Sequence, residues 1–279
     1  TLDINLKNHW ISDDPEKRKK LRIAHDVVVP AKGFANLWFG HYGLYWPTQM
    51  NMKLDCDGGV ICLSSNTGWL IDSVEYPPAI SRTSYARGTD AGEEWGYTAT
   101  PTPAATNEGI TLTMYRLAAP EVAPESQIFS GALSITVDIP EGATLRYTMD
   151  GSTPSMENGR TSTTGKLSTS GTRVYRFALF QDGCLSSPVV TRSYIKRDKS
   201  FNIPVVSVVT DPDHLYDPTI GFLTKGTNGR RGKGTSEYCN WNHDWDRPVN
   251  FEMLDPQTGK SLINMEADMS RCGGHSKGF

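Results

Sequence analysis

Four short runs, SITVDI, TLRYTM, RVYRFALF and VVTRSYI, fall between residues 134 and 195 and alternate apolar with polar residues. Period-two alternation is the pattern of a strand buried on one face. Turn residues (Gly, Pro, Asp, Ser) separate the runs, and strands this short at this spacing predict an antiparallel sandwich. The first turn sits in YTMDGSTPS, Tyr147–Ser155. Leu145, Tyr147 and Met149 then share one strand face, and Asp150-Gly151 forms the corner. Asp150 is expected to hydrogen-bond its own turn backbone rather than serve as a carboxylate for chemistry. Thr153 is held extended by Pro154. The polar stretch TSTTGKLSTSGT is expected to be a loop and a weak edge strand.

The flanking blocks read differently. From the start to about Asn107, WISDDP marks a strand end and turn, and EKRKKLRI carries charge into the next strand. VVVPAKGFANLWF reads as strand, turn at Pro30–Gly33, and strand. KLDCDGGVICLSS and WLIDSVEY predict a hairpin and a further alternating strand, with Asp-Gly as the hairpin signal. EEWGYTATPTPAATNEG is expected to be a module exit or linker. From about Asp198, the continuous run NIPVVSVVT predicts a strand buried on both faces. DPDHLYDPTIGF predicts a turn with a short helical segment, and RPVNFEMLD another strand.

A chain of 279 residues has room for two or three domains. Its 26 Gly and 17 Pro suit short strands joined by many turns. The net charge of −3 gives no electrostatic case for nucleic acid. No apolar run approaches the ~20 residues of a membrane span. The opening TLDINLKNHW lacks the basic and apolar regions of a signal peptide. Five cysteines fit neither a dense disulfide framework nor a zinc site. Cys56 and Cys62, in CDGGVIC, are expected to be buried or partly buried thiols.

Three stretches invite chemistry. KGTNGRRGKGT, Lys225–Thr235, combines glycines and cations that could cradle phosphate. Gly234 stands where a P-loop needs Ser or Thr, and Glu237 stands where a Gly-x-Gly-x-x-Gly loop needs its last Gly. A solvated loop is the expected role, with a phosphate contact as the alternative. Asp211, Asp213 and Asp217 in DPDHLYD lack the Gly and Glu of a calcium loop, and local turn and capping roles fit better. DCDGG, Asp55–Gly59, is weaker still as a calcium site. NWNHDWDRP gathers Trp241, His243, Asp244, Trp245, Asp246 and Arg247, aromatics beside carboxylates that could bind sugar or act as acid and base. Neighbours on an extended strand point to opposite faces. The expected roles are therefore core packing for Trp and a carboxylate partner for Arg247. There is no Gly-x-Ser-x-Gly elbow and no His-Glu-x-x-His. No catalytic or metal-binding residue is assigned, and no residue is assigned to a cofactor.

The second block, with Tyr147-Thr148, Asp150-Gly151-Ser152, Pro154 and the closing SSPVVTRSY, resembles the immunoglobulin-like C-terminal domain of chitobiases and β-hexosaminidases over roughly residues 118–196. There the module is an accessory to catalysis performed elsewhere. The first block, through WISDDP, VVPAKGF, LSSNTGWLIDSVEY, SYARG-TDAGEEW and TATPTPAATN, resembles a bacterial lamin-tail domain, with the opening strands barely represented. IPVVSVVTDPDHLYDPTIGF, NWNHDWDRPVNFEMLD and MEADMSRCGGHSKGF are similar to the start of CotH-type spore-coat kinases. Lys277 stands in the Arg position of that family's Gly-Gly-x-Ser-Arg stretch. Members resemble atypical protein kinases that use ATP and a divalent metal on extracytoplasmic proteins. The family's nucleotide-binding lysine and acidic metal ligands would fall after Phe279.

These resemblances imply a mainly β chain: two immunoglobulin-like β-sandwich modules in tandem, 1–107 and 108–197, followed by a partial α+β, atypical kinase-like segment, 198–279. The implied setting is extracytoplasmic, as in secreted or surface bacterial proteins. The implied role is a non-catalytic spacer or recognition portion with no cofactor in this segment. ATP and Mg belong to the complete parent, a possible ATP-dependent protein kinase. A protein or glycan at the cell surface is the expected partner. The alternative is carbohydrate-binding or adhesion modules with no kinase role, prompted by the chitobiase-type module and the seven Trp, Trp38, Trp46 and Trp69 among them.

Overall fold

A computed structural model describes residues 2–40, 47–80, 83–232 and 237–272. The protein is mainly β, as expected, and divides into two compact units, Thr1–Tyr115 and Arg116–Phe279.

The first unit is built from short strands: β1 (Ile4–Asn5), β2 (Trp10–Ser12), β3 (Leu21–Arg22), β4 (Val28–Val29), β5 (Trp38–Phe39) and β6 (Gln49–Met50). Longer ones follow: β7 (Gly59–Ser64), β8 (Leu70–Tyr76), β9 (Ser84–Arg87) and β10 (Trp95–Thr98). The main sheet runs β3-β2-β7-β8, with β1-β4, β5-β6 and β9-β10 as separate pairs. One face packs Ile11, Ile61 and Leu63 around Ile23, Val27, Met50 and Met52. The hairpin joins β7 to β8 through Ser65–Trp69, closed by the Ser65 amide on the Trp69 carbonyl at 2.7 Å, with Gly68 at φ +98°. Asp57-Gly58, the sequence's hairpin signal, instead forms a bend before β7, where the Asp57 amide donates to Asp55 Oδ1 at 2.9 Å. The expected linker EEWGYT also changes role. Trp95–Thr98 is a paired strand in register with β9, and Tyr97 bonds Thr113 on its other side.

The second unit opens with β11 (Val122–Ala123), β12 (Gln127–Phe129), β13 (Leu133–Val137), β14 (Thr144–Thr148), β15 (Arg160–Ser162) and β16 (Lys166–Thr169). Two long strands follow, β17 (Arg173–Phe180) and β18 (Val190–Lys196). A five-stranded sheet, β12-β18-β17-β14-β15, faces a three-stranded sheet, β11-β13-β16. Ile135, Leu145, Tyr175, Phe177, Leu179 and Tyr194 fill the space between them, with Tyr147 and Met149 packed alongside. TSTTGKLSTSGT supplies both β15 and β16, one edge strand to each sheet.

The same unit then adds β19 (Val205–Val209), α1 (Pro212–Tyr216), β20 (Arg230–Arg231), β21 (Tyr238–Cys239), β22 (Asp246–Leu254) and β23 (Ser261–Ser270). β19-β22-β23 form a third sheet, antiparallel throughout. It is seated on the sandwich: the Ile128 amide donates to the Gly259 carbonyl at 2.8 Å, and Arg197 Nη2 to the Pro256 carbonyl at 2.8 Å.

Register makes this sheet unusual. The row Ser207–Glu252–Asn264 faces the sandwich, while Val206–Met253–Ile263 and Val208–Phe251–Met265 face away. The flanking members of the outward rows stay in water, with Val206 51% and Met265 54% exposed, while Phe251 and Met253 between them are half-buried. The expectation that NIPVVSVVT is buried on both faces is therefore corrected. β19 is an edge strand with one face in solvent, because alternation still sorts its valines onto two faces.

Candidate functional site

The YTMDGSTPS corner was read as a structural turn, and its hydrogen bonds agree. Asp150 Oδ1 accepts from the Ser152 amide at 3.0 Å and from Ser152 Oγ at 2.6 Å. Those bonds hold the Asp150 carboxyl below the usual carboxylate range. The turn also meets the third sheet's leading loop. The Thr153 amide donates to Asp211 Oδ2 at 2.8 Å, and Arg176 Nη1 donates to the Gly151 carbonyl at 2.8 Å. Gly151 has φ +86°, and a Cβ there would stand 2.9 Å from the Thr210 carbonyl. Only glycine fits both the dihedral and the approach.

Asp211 caps α1 by accepting from the Asp213 amide. Burial works against its charge, yet the bonds from Thr153 and Asp213 outweigh it and keep its pKa low. Asp217 accepts from the Thr219 and Ile220 amides at 2.7 and 3.0 Å. All three carboxylates of the corner and its cap are thus occupied with backbone donors. Among the described residues no cluster of three His, Cys, Asp or Glu could hold a metal ion.

NWNHDWDRP assembles a stack rather than an acid–base pair. His243, Trp245 and Arg247 share one side at alternate positions. The His243 ring lies 4.1 Å from the Trp245 ring at 3°, and the Arg247 guanidinium lies 4.5 Å from it. Both neighbours pack against the indole, which is half-buried beside them. Arg247 was expected to pair with a carboxylate. It donates instead to the Ile220 carbonyl at 3.2 Å from Nε, its charge sitting against the indole.

The Lys225–Thr235 loop is described only to Gly232; Lys233, Gly234 and Thr235 lie outside the described residues, as does Lys277. Its first half is tied down rather than loose. Asn240, fully buried, donates to the Pro218 and Gly221 carbonyls at 3.0 and 3.1 Å and accepts from the Asn228 amide at 3.1 Å. Lys225 lies 3.7 Å from Glu237, and Arg230 lies 3.9 Å from Asp244. Cations with carboxylates beside them are less available to phosphate.

The five cysteines are free thiols. Cys62 and Cys239 are buried, and burial raises both thiol pKa values. Cys56, expected to be at least partly covered, is exposed. It stands in the bend before β7 rather than on the strand.

Sequence reasoning passed over Glu252. It is fully buried between the third sheet and the sandwich, and Oε1 accepts from Ser126 Oγ and from Asn264 Nδ2, the latter at 2.6 Å. Ser126 in turn accepts from the Ser193 amide at 3.0 Å, and Ser193 Oγ meets Ser207 Oγ at 2.8 Å. Burial raises the Glu252 pKa despite the Ser126 bond. The available signal was a lone Glu sharing a face with Leu254 and Asn250, while Val249, Phe251 and Met253 between them are apolar. This network fastens the sheet to the sandwich.

Comparison with protein-family models and with curated proteins finds no match for this chain. No helix among the described residues is long and apolar enough to cross a membrane.

Proposed function

We propose that the chain is the non-catalytic spacer and recognition portion of a bacterial extracytoplasmic protein of the CotH family. Its two sandwich-type modules carry the opening strands of an atypical kinase-type domain that uses ATP and Mg when complete. The observation that carries this reading is the pair of outward apolar rows, Val206–Met253–Ile263 and Val208–Phe251–Met265, on a sheet whose polar row is the buried one. Exposed apolar surface of this kind is typical of a face meant to be covered. A sheet that opens a larger domain has that property. Asp150, Asp211 and Asp217 are engaged in turns and a cap, and Glu252 in the Ser126 network, so none of these four is presented as a metal ligand or base for phosphoryl transfer.

Titration calorimetry with Mg-ATP is expected to show no binding tighter than about millimolar, roughly the −4 kcal/mol level. Micromolar binding, or phosphate release from ATP, would overturn the reading.

A second reading is favoured by a separate observation. Trp69 is 77% exposed and Trp38 53% exposed, as a sugar-binding aromatic platform requires. Trp46 lies outside the described residues. A glycan array probed with the protein and with Trp69→Ala and Trp38→Ala distinguishes the two. Binding lost in the variants supports the carbohydrate reading, and a blank array removes it.

A further inference from the structure

The first unit contains a cleft that neither reading uses. β7 and β8 provide its floor through the paired residues Ile61 and Val74, and the β9-β10 hairpin provides a wall. Its volume is about 260 Å³. Interiors packed at normal density leave few voids larger than a water molecule. A dry apolar cavity of about 150 Å³ already accommodates benzene.

The wall is aromatic. Tyr85 and Trp95 stack at 5.5 Å and 18°, and Tyr97 meets Tyr85 edge-on at 5.4 Å. Arg87 lies over the Trp95 ring at 4.5 Å, so the strands interleave Arg87, Trp95, Tyr85 and Tyr97 into one ladder. Tyr76, at the end of β8, adds a fourth aromatic side chain. Tyr85, Trp95 and Tyr76 are only half-buried, so the ladder is reachable from solvent.

Three of the polar side chains around the cleft are already engaged. Tyr97 Oη donates to the Pro78 carbonyl at 2.5 Å, and Thr83 Oγ1 donates to the Ile80 carbonyl at 2.8 Å. Arg87 donates to the Gly92 carbonyl and lies 3.1 Å from Asp72. A sugar entering here would leave the hydroxyls that face Ile61, Val74 and Ile80 unpaired, at a cost of about 1–3 kcal/mol for each buried group. A charged ligand would fare worse. A flat uncharged ring loses little water-bonding and gains offset or edge-on contact with the ladder, worth about 0.5–1.5 kcal/mol per ring pair beyond area burial.

We propose that this cleft is a binding site for a neutral planar aromatic molecule of one or two rings, held between the Ile61–Val74 floor and the Tyr85–Trp95–Tyr97 ladder. The site is independent of the spacer and carbohydrate readings, because neither Trp69 nor Trp38 lines it and it requires no nucleotide.

The test uses the full chain with indole and phenol as probes, and cyclohexanol and N-acetylglucosamine as comparators. Two variants fill the cleft from different sides, Val74→Phe from the floor and Ala79→Trp from the rim. In the unmodified protein, indole and phenol are expected to shift the Trp95 indole N–H resonance saturably, at least tenfold more tightly than cyclohexanol, with no shift from N-acetylglucosamine. Each variant that retains a cooperative melt is expected to weaken indole binding at least tenfold. Failure of indole and phenol to shift Trp95 would overturn the proposal, as would equal binding of cyclohexanol. Undiminished binding in a folded, filled variant would do the same. The wild-type resonance shift decides the matter even if both variants fail to fold.

Discussion

The sheet that lines the second unit's sandwich and the sheet seated on it are made of similar material arranged in opposite senses. β17 turns Tyr175, Phe177 and Leu179 into the core, where they touch Leu145 and Tyr194. β22 turns Glu252 inward and Phe251 and Met253 outward. Both strands alternate, so both satisfy the period of a half-buried strand. The difference teaches that alternation fixes which residues share a face, while the neighbour decides which face is inside. β17 meets an apolar sheet. The row Ser207–Glu252–Asn264 meets Ser193, Ser126 and the Thr191 carbonyl, and a polar row is what can hydrogen-bond to them.

The comparison breaks first at the sandwich core. Phe177→Ala is expected to cost about 3–5 kcal/mol, because Phe177 has no exposed surface and its cavity cannot readily collapse. Urea unfolding monitored in the second unit reads this directly. A loss under about 1 kcal/mol would mean that the two sheets do not pack as described.

Glu252 tests the polar row by pH. Its folded pKa is raised by burial, so between its unfolded and folded pKa values the native state binds more protons than the unfolded chain. Its contribution is fully present below the unfolded value and is lost as pH rises through the folded one. The slope is at most about 1.4 kcal/mol per pH unit for one proton. Glu252→Gln imitates the protonated form and is expected to flatten that decline and raise stability at neutral and alkaline pH. A pH profile unchanged by the substitution would show that Glu252 is solvated.

Gly151→Ala probes the corner that touches the third sheet's loop. A positive φ together with the Thr210 carbonyl beside the new Cβ is expected to cost about 1–3 kcal/mol. The smallest effect belongs to the outward rows. Val206→Thr should change stability by no more than about 0.5 kcal/mol, while measurably lowering the binding of an apolar dye. A large loss would show that the face is already covered.

Much of the second unit was legible because its strands announce both period and turns: the strand containing Leu145 and Tyr147, and the corner at Asp150-Gly151, stand where alternation and Asp-Gly chemistry predict. The first unit was less legible. Its early strands are only two or three residues long, too short for period to register, and Gly68 rather than Gly58 closes the β7-β8 hairpin. Trp95–Thr98 was obscured by the proline- and threonine-rich stretch that follows it, although Trp-Gly-Tyr-Thr is strand-favouring by itself. The stack of His243, Trp245 and Arg247 follows the alternation of an extended chain, but nothing in the sequence indicates that Arg247 finds the Ile220 carbonyl from across the loop. Glu252 was missed because a buried carboxyl is identified only by the partners that come from elsewhere in the chain, here Ser126 and Asn264.

The distribution of thiols has a practical consequence. Cys62 sits inside the first unit's main sheet and Cys239 inside the second unit, while Cys56 and Cys272 stand in solvent. An alkylating reagent therefore meets two sites that react at once, a half-buried one at Cys184, and two that must wait for the surrounding structure to open. The slow pair times that opening separately in each unit, without any introduced label, because a covered thiol is modified only during the moments when its cover is gone.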